Sequence, residues 1–141
     1  MVQFMAISVT RPPASAQDGG WRTAGYGIAF WILAIVGVPV MIGAWMLLPL
    51  ASLEEVTEQG KAVATGSTMA GTTLLFGVLP LVLAHLIGLG LLCSIGGAGR
   101  LEHRQGALRG AAMVLVASGI GLAAAWVLSG GELIYSYKYV P

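Results

Sequence analysis

Three stretches of this chain carry no aspartate, glutamate, lysine or arginine, and each is long enough to cross a hydrocarbon layer. They are Gly25 to Leu53, Ala62 to Gly99 and Gly110 to Gly131. A bilayer core about 30 Å thick needs roughly 20 apolar residues in a helix rising 1.5 Å per residue. In lipid a spanning segment must satisfy its own backbone polar groups, which leaves helices and closed barrels as the available solutions. No alternation of apolar and polar residues supports strands here. The expectation is therefore an all-α integral membrane protein with three transmembrane helices, at about 26–50, 72–95 and 110–129, in a transmembrane domain covering residues 25–131.

Composition agrees with that reading. Hydrophobic residues make up 57% of the 141 residues and charged ones 9%, against the roughly 25% charged of soluble domains. Mean hydropathy is +0.85. The net charge of +1 and the lack of a basic run argue against a nucleic-acid partner. Cys93 is the single cysteine, so neither an intrachain disulfide nor a zinc site built on cysteine pairs can form.

Residues 1–24, with Arg11-Pro12-Pro13 and no periodicity, are expected to form a mobile N-terminal tail. Ala14-Ser15-Ala16 imitates a signal-peptidase site, but no positive charge precedes the short apolar start, so the tail is expected to be retained. Pro39 is expected to bend the first span. Trp21 and Tyr26 at one end and Trp45 towards the other suit the aromatic belts of a membrane. Ser52-Leu53-Glu54-Glu55 matches a capping box and predicts a short separate helix from Leu53 to about Gln59. Glu54, Glu55, Glu58 and Lys61 read as its solvated face.

The second span contains Pro80 and His85 and is expected to stop at Gly96-Gly97-Ala98-Gly99. Arg100 to Arg109 reads as a compact polar loop. The tail 132–141, with Tyr135, Tyr137 and Tyr139, reads as an interfacial anchor. Counting cations by side gives Arg11, Arg22, Arg100, Arg104 and Arg109 against Lys61 and Lys138. The positive-inside rule then predicts a cytoplasmic N-terminus and an external C-terminus.

His85 is the residue to which chemistry most naturally attaches, because an imidazole deep in a span is costly unless it is used. Its first reading is a hydrogen bond to a neighbouring helix. Its second is a ligand to haem b or a contact to quinone, since neutral imidazole offers one nitrogen to iron and one to a hydrogen bond. A second axial ligand is missing from the chain: His103 is 18 residues on, about 27 Å along a helix. Cys93 shares the ridge Gly77, Leu81, His85, Leu89, Cys93 but sits two turns from His85, too far to clasp one metal ion, so it reads as a structural thiol.

The third span sets Ala117, Gly121 and Ala125 at four-residue intervals, with Gly119 and Ala123 beside them, and the second offers Ala84 and Gly88. Small residues let membrane helices approach closely. Three spans with a histidine in the second and a polar first loop resemble the small membrane-anchor subunits of succinate dehydrogenase. That resemblance implies a haem- or quinone-binding anchor of a respiratory complex.

Paired carboxylates, phosphate loops and nucleophile elbows are absent from the sequence, so catalysis by this chain alone is not expected. The expected function is that of a non-catalytic subunit or accessory protein of a bacterial-type inner membrane, packed against a larger complex or against itself. The redox anchor is the alternative. A small transporter or holin-like pore former comes third, because no span holds an acidic or basic residue of the kind ion coupling uses.

Overall fold

The computed structural model describes residues 15–98 and 103–136. Three helices account for most of them: α1 (Ser15–Ala64), α2 (Leu79–Gly97) and α3 (His103–Leu128), with a π-helical segment, Thr73–Val78, leading into α2. Three helical stretches are long and apolar enough to cross a membrane: Gly25–Ala64, Thr73–Gly96 and Arg104–Leu128. The expected N-terminal tail of residues 1–24 overlaps α1, which is helical from Ser15 onward, and residues 1–14 lie outside the described residues.

The first helix is longer than the sequence suggests. At 50 residues it reaches about 75 Å, more than twice the thickness of a hydrocarbon core, and it runs through both Pro39 and Pro49. The separate helix expected from Leu53 to Gln59 does not form. Ser52 is not a cap but an interior residue of α1, only 2% exposed, and its hydroxyl serves a different strand of chain. Residues after Pro49 are mostly strong helix formers such as leucine, alanine, glutamate, glutamine and lysine, so the helix resumes at little cost once the proline's missing bond is passed.

Helix α1 stops at Gly66. The N–H of Gly66 donates to Val63 O at 3.0 Å and that of Ser67 to Ala62 O at 2.8 Å, the paired bonds of a Schellman end. Gly66 takes the left-handed φ of 74° that this end demands and that glycine alone adopts freely. Helix α3 finishes identically at Gly130, φ 70°, with Gly130 N–H to Val127 O and Gly131 N–H to Trp126 O. The third span expected at 110–129 ends at this motif.

The π segment has a local cause. Pro80 has no N–H to offer Phe76 O, and its ring crowds that carbonyl in a regular helix. Widening the preceding turn relieves the crowding, and Leu79 N–H reaches back five residues to Leu74 O. Gly77, buried within this turn, then lies against α1: a methyl at that position would meet Leu48 Cα at 3.0 Å.

The interior is thin. Ala34 and Met41 of α1, Leu92 of α2, and Val114 and Ala117 of α3 form one cluster, joined by half-buried Phe30, Leu33, Ala84, Leu89 and Met113. The outward faces are large and apolar, from Ile35 (68% exposed) through Phe76 (59%) to Val127 (74%). In the most apolar 18 residues of the second span only 6% are buried. In water such faces would forfeit about 25 cal/mol for every Å² left unburied. Against lipid tails the same faces would carry no such cost.

Candidate functional site

The polar residues at mid-span converge on one point. His85 of α2, Ser118 of α3 and Trp45 of α1 come together between the three helices, with His85 Nε2 2.8 Å from Ser118 Oγ and Trp45 Nε1 3.0 Å from the same oxygen. The other imidazole nitrogen, Nδ1, lies 2.8 Å from Leu81 O, one turn back on α2. The indole and imidazole rings meet edge to face with centroids 6.4 Å apart.

These contacts fix the proton positions by elimination. A carbonyl oxygen only accepts, so Nδ1 carries the proton it donates to Leu81 O. In a neutral ring Nε2 is then an acceptor, and Ser118 donates its O–H to it. The Ser118 oxygen in turn accepts the indole N–H of Trp45. Each donor has one acceptor, the chain of bonds runs in a single direction from α1 through α3 to α2, and no charge is needed. Such a network is strong in a low-dielectric setting because each bond polarises the next.

Trp45, expected towards a membrane surface, packs beside His85. Left in lipid, its indole N–H would lack a partner, and Ser118 supplies one. Ser118 itself attracts no attention in the sequence, since a serine among alanines and glycines in a span reads as one more small residue. The signal that could have found it is its place one residue after Ala117, on the edge of the Ala117, Gly121, Ala125 stripe.

The network bears directly on ligand chemistry at His85. Iron would have to be held through a nitrogen lone pair. That of Nε2 already receives the Ser118 proton, and Nδ1 is protonated, so ligation would require the serine hydroxyl to turn away. Cys93 does not join this site: its Sγ donates to Ala107 O of α3 at 3.4 Å. Among the described residues no group of three or more histidine, cysteine or acidic side chains is placed to hold a metal ion.

The small residues of α3 meet the chain's own helices. Ala117 and Gly121 are buried, and Ala125 is wholly so. A methyl on Gly121 would lie 2.8 Å from Met41 O and equally close to the Trp45 ring, so this glycine is what allows Trp45 to reach Ser118. Ala84 packs against the central cluster, and Gly88 faces Val114 and Met41 at ordinary contact distance. Gly119 and Ala123, the neighbours of the stripe, are exposed.

The tightest contacts lie elsewhere, between the end of α2 and the start of α3. A methyl on Gly96 would stand 2.6 Å from Gly106 O, and one on Gly110 would stand 2.8 Å from both Cys93 N and Leu92 C. Backbone touches backbone here. The polar loop expected from Arg100 to Arg109 is accordingly shorter, since α3 begins at His103 and carries Arg104 and Arg109 on exposed positions; Arg100 lies outside the described residues. Gly106 and Gly110, four apart, form a G-x-x-x-G pair that was hidden by its flanking arginines.

The opposite end is held by side chains. Glu55 of α1 accepts the N–H of Thr73 at 2.7 Å and of Gly71 at 3.3 Å, and Gln59 accepts that of Met69 at 2.7 Å. Glu55 thus caps the entry to α2, not its own helix. The N–H of Thr73, then its hydroxyl, hold the Glu55 carboxyl below the usual carboxylate range, aided by Gly71. Lys61 pairs with Glu58 at 2.8 Å on the exposed face. Ser52 receives the N–H of Tyr135 at 2.8 Å, and the Tyr135 hydroxyl donates to Ser129 O at 3.2 Å, so the residues after α3 fold back onto α1. Tyr137 and Tyr139 lie outside the described residues.

No protein-family model matches the chain, and no curated protein or solved structure matches it.

Proposed function

We propose that this is a three-span integral membrane protein acting as a non-catalytic subunit or accessory protein, packed against a larger membrane complex or further copies of itself. One observation carries the reading: the only ionisable side chain deep in the described spans apart from Cys93, His85, has both nitrogens committed within the bundle, Nδ1 to its own helix at Leu81 O and Nε2 to Ser118 of α3. Its role is then to tie α2 to α3, with Trp45 joining α1 through the same serine. The large apolar faces turned outward supply the surface that lipid and neighbouring subunits would cover.

The orientation follows from charge. Arg104 and Arg109 open α3, and Arg11, Arg22 and Arg100 belong to the same side, against Lys61 and Lys138 on the other. The N-terminus is then cytoplasmic and the C-terminus external in a bacterial-type inner membrane. Glu54, Glu55 and Glu58 fall outside, where acidic residues weigh little on topology.

Purification from native membranes in mild detergent, with mass spectrometry of the associated proteins and a visible spectrum, tests the reading. Other membrane subunits, or more than one copy of this chain, in colourless material are expected. Recovery of a lone monomer would overturn it. A Soret band that disappears in His85→Ala would replace it with the haem-bearing anchor, and dye leakage on expression with the pore former.

A further inference from the structure

We propose that the Thr65–Thr72 connection is a carboxylate-closed clasp, in which ionised Glu55 orders the entry to α2 and neutralisation of that one side chain releases it. The geometry is specific. Both carboxylate oxygens are used, one on Thr73 N–H and one on Gly71 N–H, where the helix leading into the second span begins with unpaired donors. One turn further along α1, Gln59 holds Met69 N–H at 2.7 Å and exchanges bonds with the Thr68 hydroxyl. The connection is therefore fastened at three points, Thr68, Met69 and Gly71, and Thr73 just beyond it at a fourth, all by α1 side chains at i and i+4.

Within the clasp the bonds are unequal in kind. Gln59 makes neutral bonds that do not change with acidity. Glu55 makes charge-assisted ones, roughly twice as strong as neutral ones, at a site where the helix dipole also favours an anion. Protonating Glu55 removes the charge and turns one oxygen from acceptor to donor, facing an N–H that cannot accept. The Thr65–Thr72 connection carries no ionisable side chain of its own. Among the described residues the other ionisable groups at this end are Glu54, Glu58 and Lys61 on α1 and Glu132 and Tyr135 after α3; Lys61 is paired with Glu58, and none of them bonds Glu55.

The sign of the effect follows. The closed form holds the Glu55 carboxyl below its ordinary value near 4.5, so closure is complete above that value and is lost as pH falls through the lowered one. What is released is the connection and the start of the π turn, which further along packs against α1 with Gly77 beside Leu48.

The test is an amide titration of the full chain, isotope-labelled in lipid nanodiscs. The Gly71 and Thr73 amide protons should shift together in one step, with a midpoint below the ordinary glutamate value near 4.5. Below that midpoint, exchange protection from Met69 to Thr73 should fall by roughly tenfold, the size of a lost helix cap, while that of Leu83 to Leu91 stays unchanged. In Glu55→Gln the step should vanish. Gly71 and Thr73 resonances that fail to titrate, or that titrate alike in Glu55→Gln, would overturn the proposal, and the wild-type titration decides it even if the variant is poorly produced.

Discussion

The two ends of the bundle are closed by opposite means. Where α2 passes to α3, Gly96 lies against Gly106 and Gly110 against Cys93 and Leu92, with main chain touching main chain. At the opposite end side chains fasten the passage: Glu55 and Gln59 of α1 hold the entry to α2, and Ser52 holds the segment after α3, by hydrogen bonds. The first closure depends on the absence of atoms and the second on their presence. Dispersion between close backbones needs no water and works inside lipid. Hydrogen-bonded caps suit an end that meets solvent, where a broken bond can be replaced by water. The glycine end should therefore be brittle, and the carboxylate end forgiving.

The sharpest way to break this comparison is to add carbon at the glycine end. Gly96→Ala places a methyl where Gly106 O already stands, and neither helix can yield without separating from the other. A loss of about 1–3 kcal/mol is expected for alanine, with more for Gly110→Leu, since overpacking of a fitted contact costs at least this much. Reversible unfolding in mixed micelles, read by the fluorescence of Trp45 and its neighbours, measures it. A fully stable Gly96→Ala would mean that α2 and α3 do not touch at this point.

The mid-span network should come next. Ser118→Ala removes the acceptor of the Trp45 indole and the donor to His85 together, and leaves both without a partner. Interhelical hydrogen bonds in membranes average about 0.6 kcal/mol with a maximum near 1.7, so a loss of about 1–2 kcal/mol is expected for two at once. A cycle pairing Ser118→Ala with His85→Leu should show coupling above ~0.5 kcal/mol, because the residues share one bond. Additive losses would separate the two side chains and reopen His85 to a ligand.

At the forgiving end, Ser52→Ala deletes a buried hydroxyl and strands the Tyr135 N–H. About 1 kcal/mol is expected, the ordinary cost of an unmade bond, and less if water enters beside Tyr135. The change should be visible as faster exchange at Tyr135 with little effect on global unfolding. A loss as large as that of Gly96→Ala would erase the distinction between the two ends.

Much of this architecture was legible, and what was missed has a physical pattern. Charge-free length marks a span without reference to anything else in the chain, so three apolar helices could be read directly. Helix ends were harder where two signals competed. Pro49 followed by Ser52 and Glu55 has the local grammar of a helix start, but the same serine and glutamate satisfy donors 83 and 18 residues away, at Tyr135 and Thr73. Local rules cannot see such partners. Gly106 and Gly110 were obscured for a different reason: Arg104 and Arg109 drew the segment towards a loop, although both arginines point outward from a helix whose inner side is glycine. His85 could be singled out because a histidine in lipid is rare, whereas Ser118 and Trp45 are unremarkable until three helices bring them together.

The smallest effect offers the finest test of what closeness means in this bundle. Gly119 and Gly121 are two residues apart on α3, one beside the Ala117, Gly121, Ala125 stripe and one in it. A methyl on Gly121 would collide with Met41 O at 2.8 Å, while one on Gly119 would meet nothing within 4 Å. Gly119→Ala should therefore be neutral or raise stability by up to ~1 kcal/mol, because alanine is the better helix former and no neighbour objects. Gly121→Ala should cost about 1–3 kcal/mol, as at Gly96, and should also disturb the Trp45 ring it touches. Identical penalties at the two positions would show that α3 is rotated from the orientation described. Opposite signs would show that one face of α3, and one only, supplies the chain's own helix contacts.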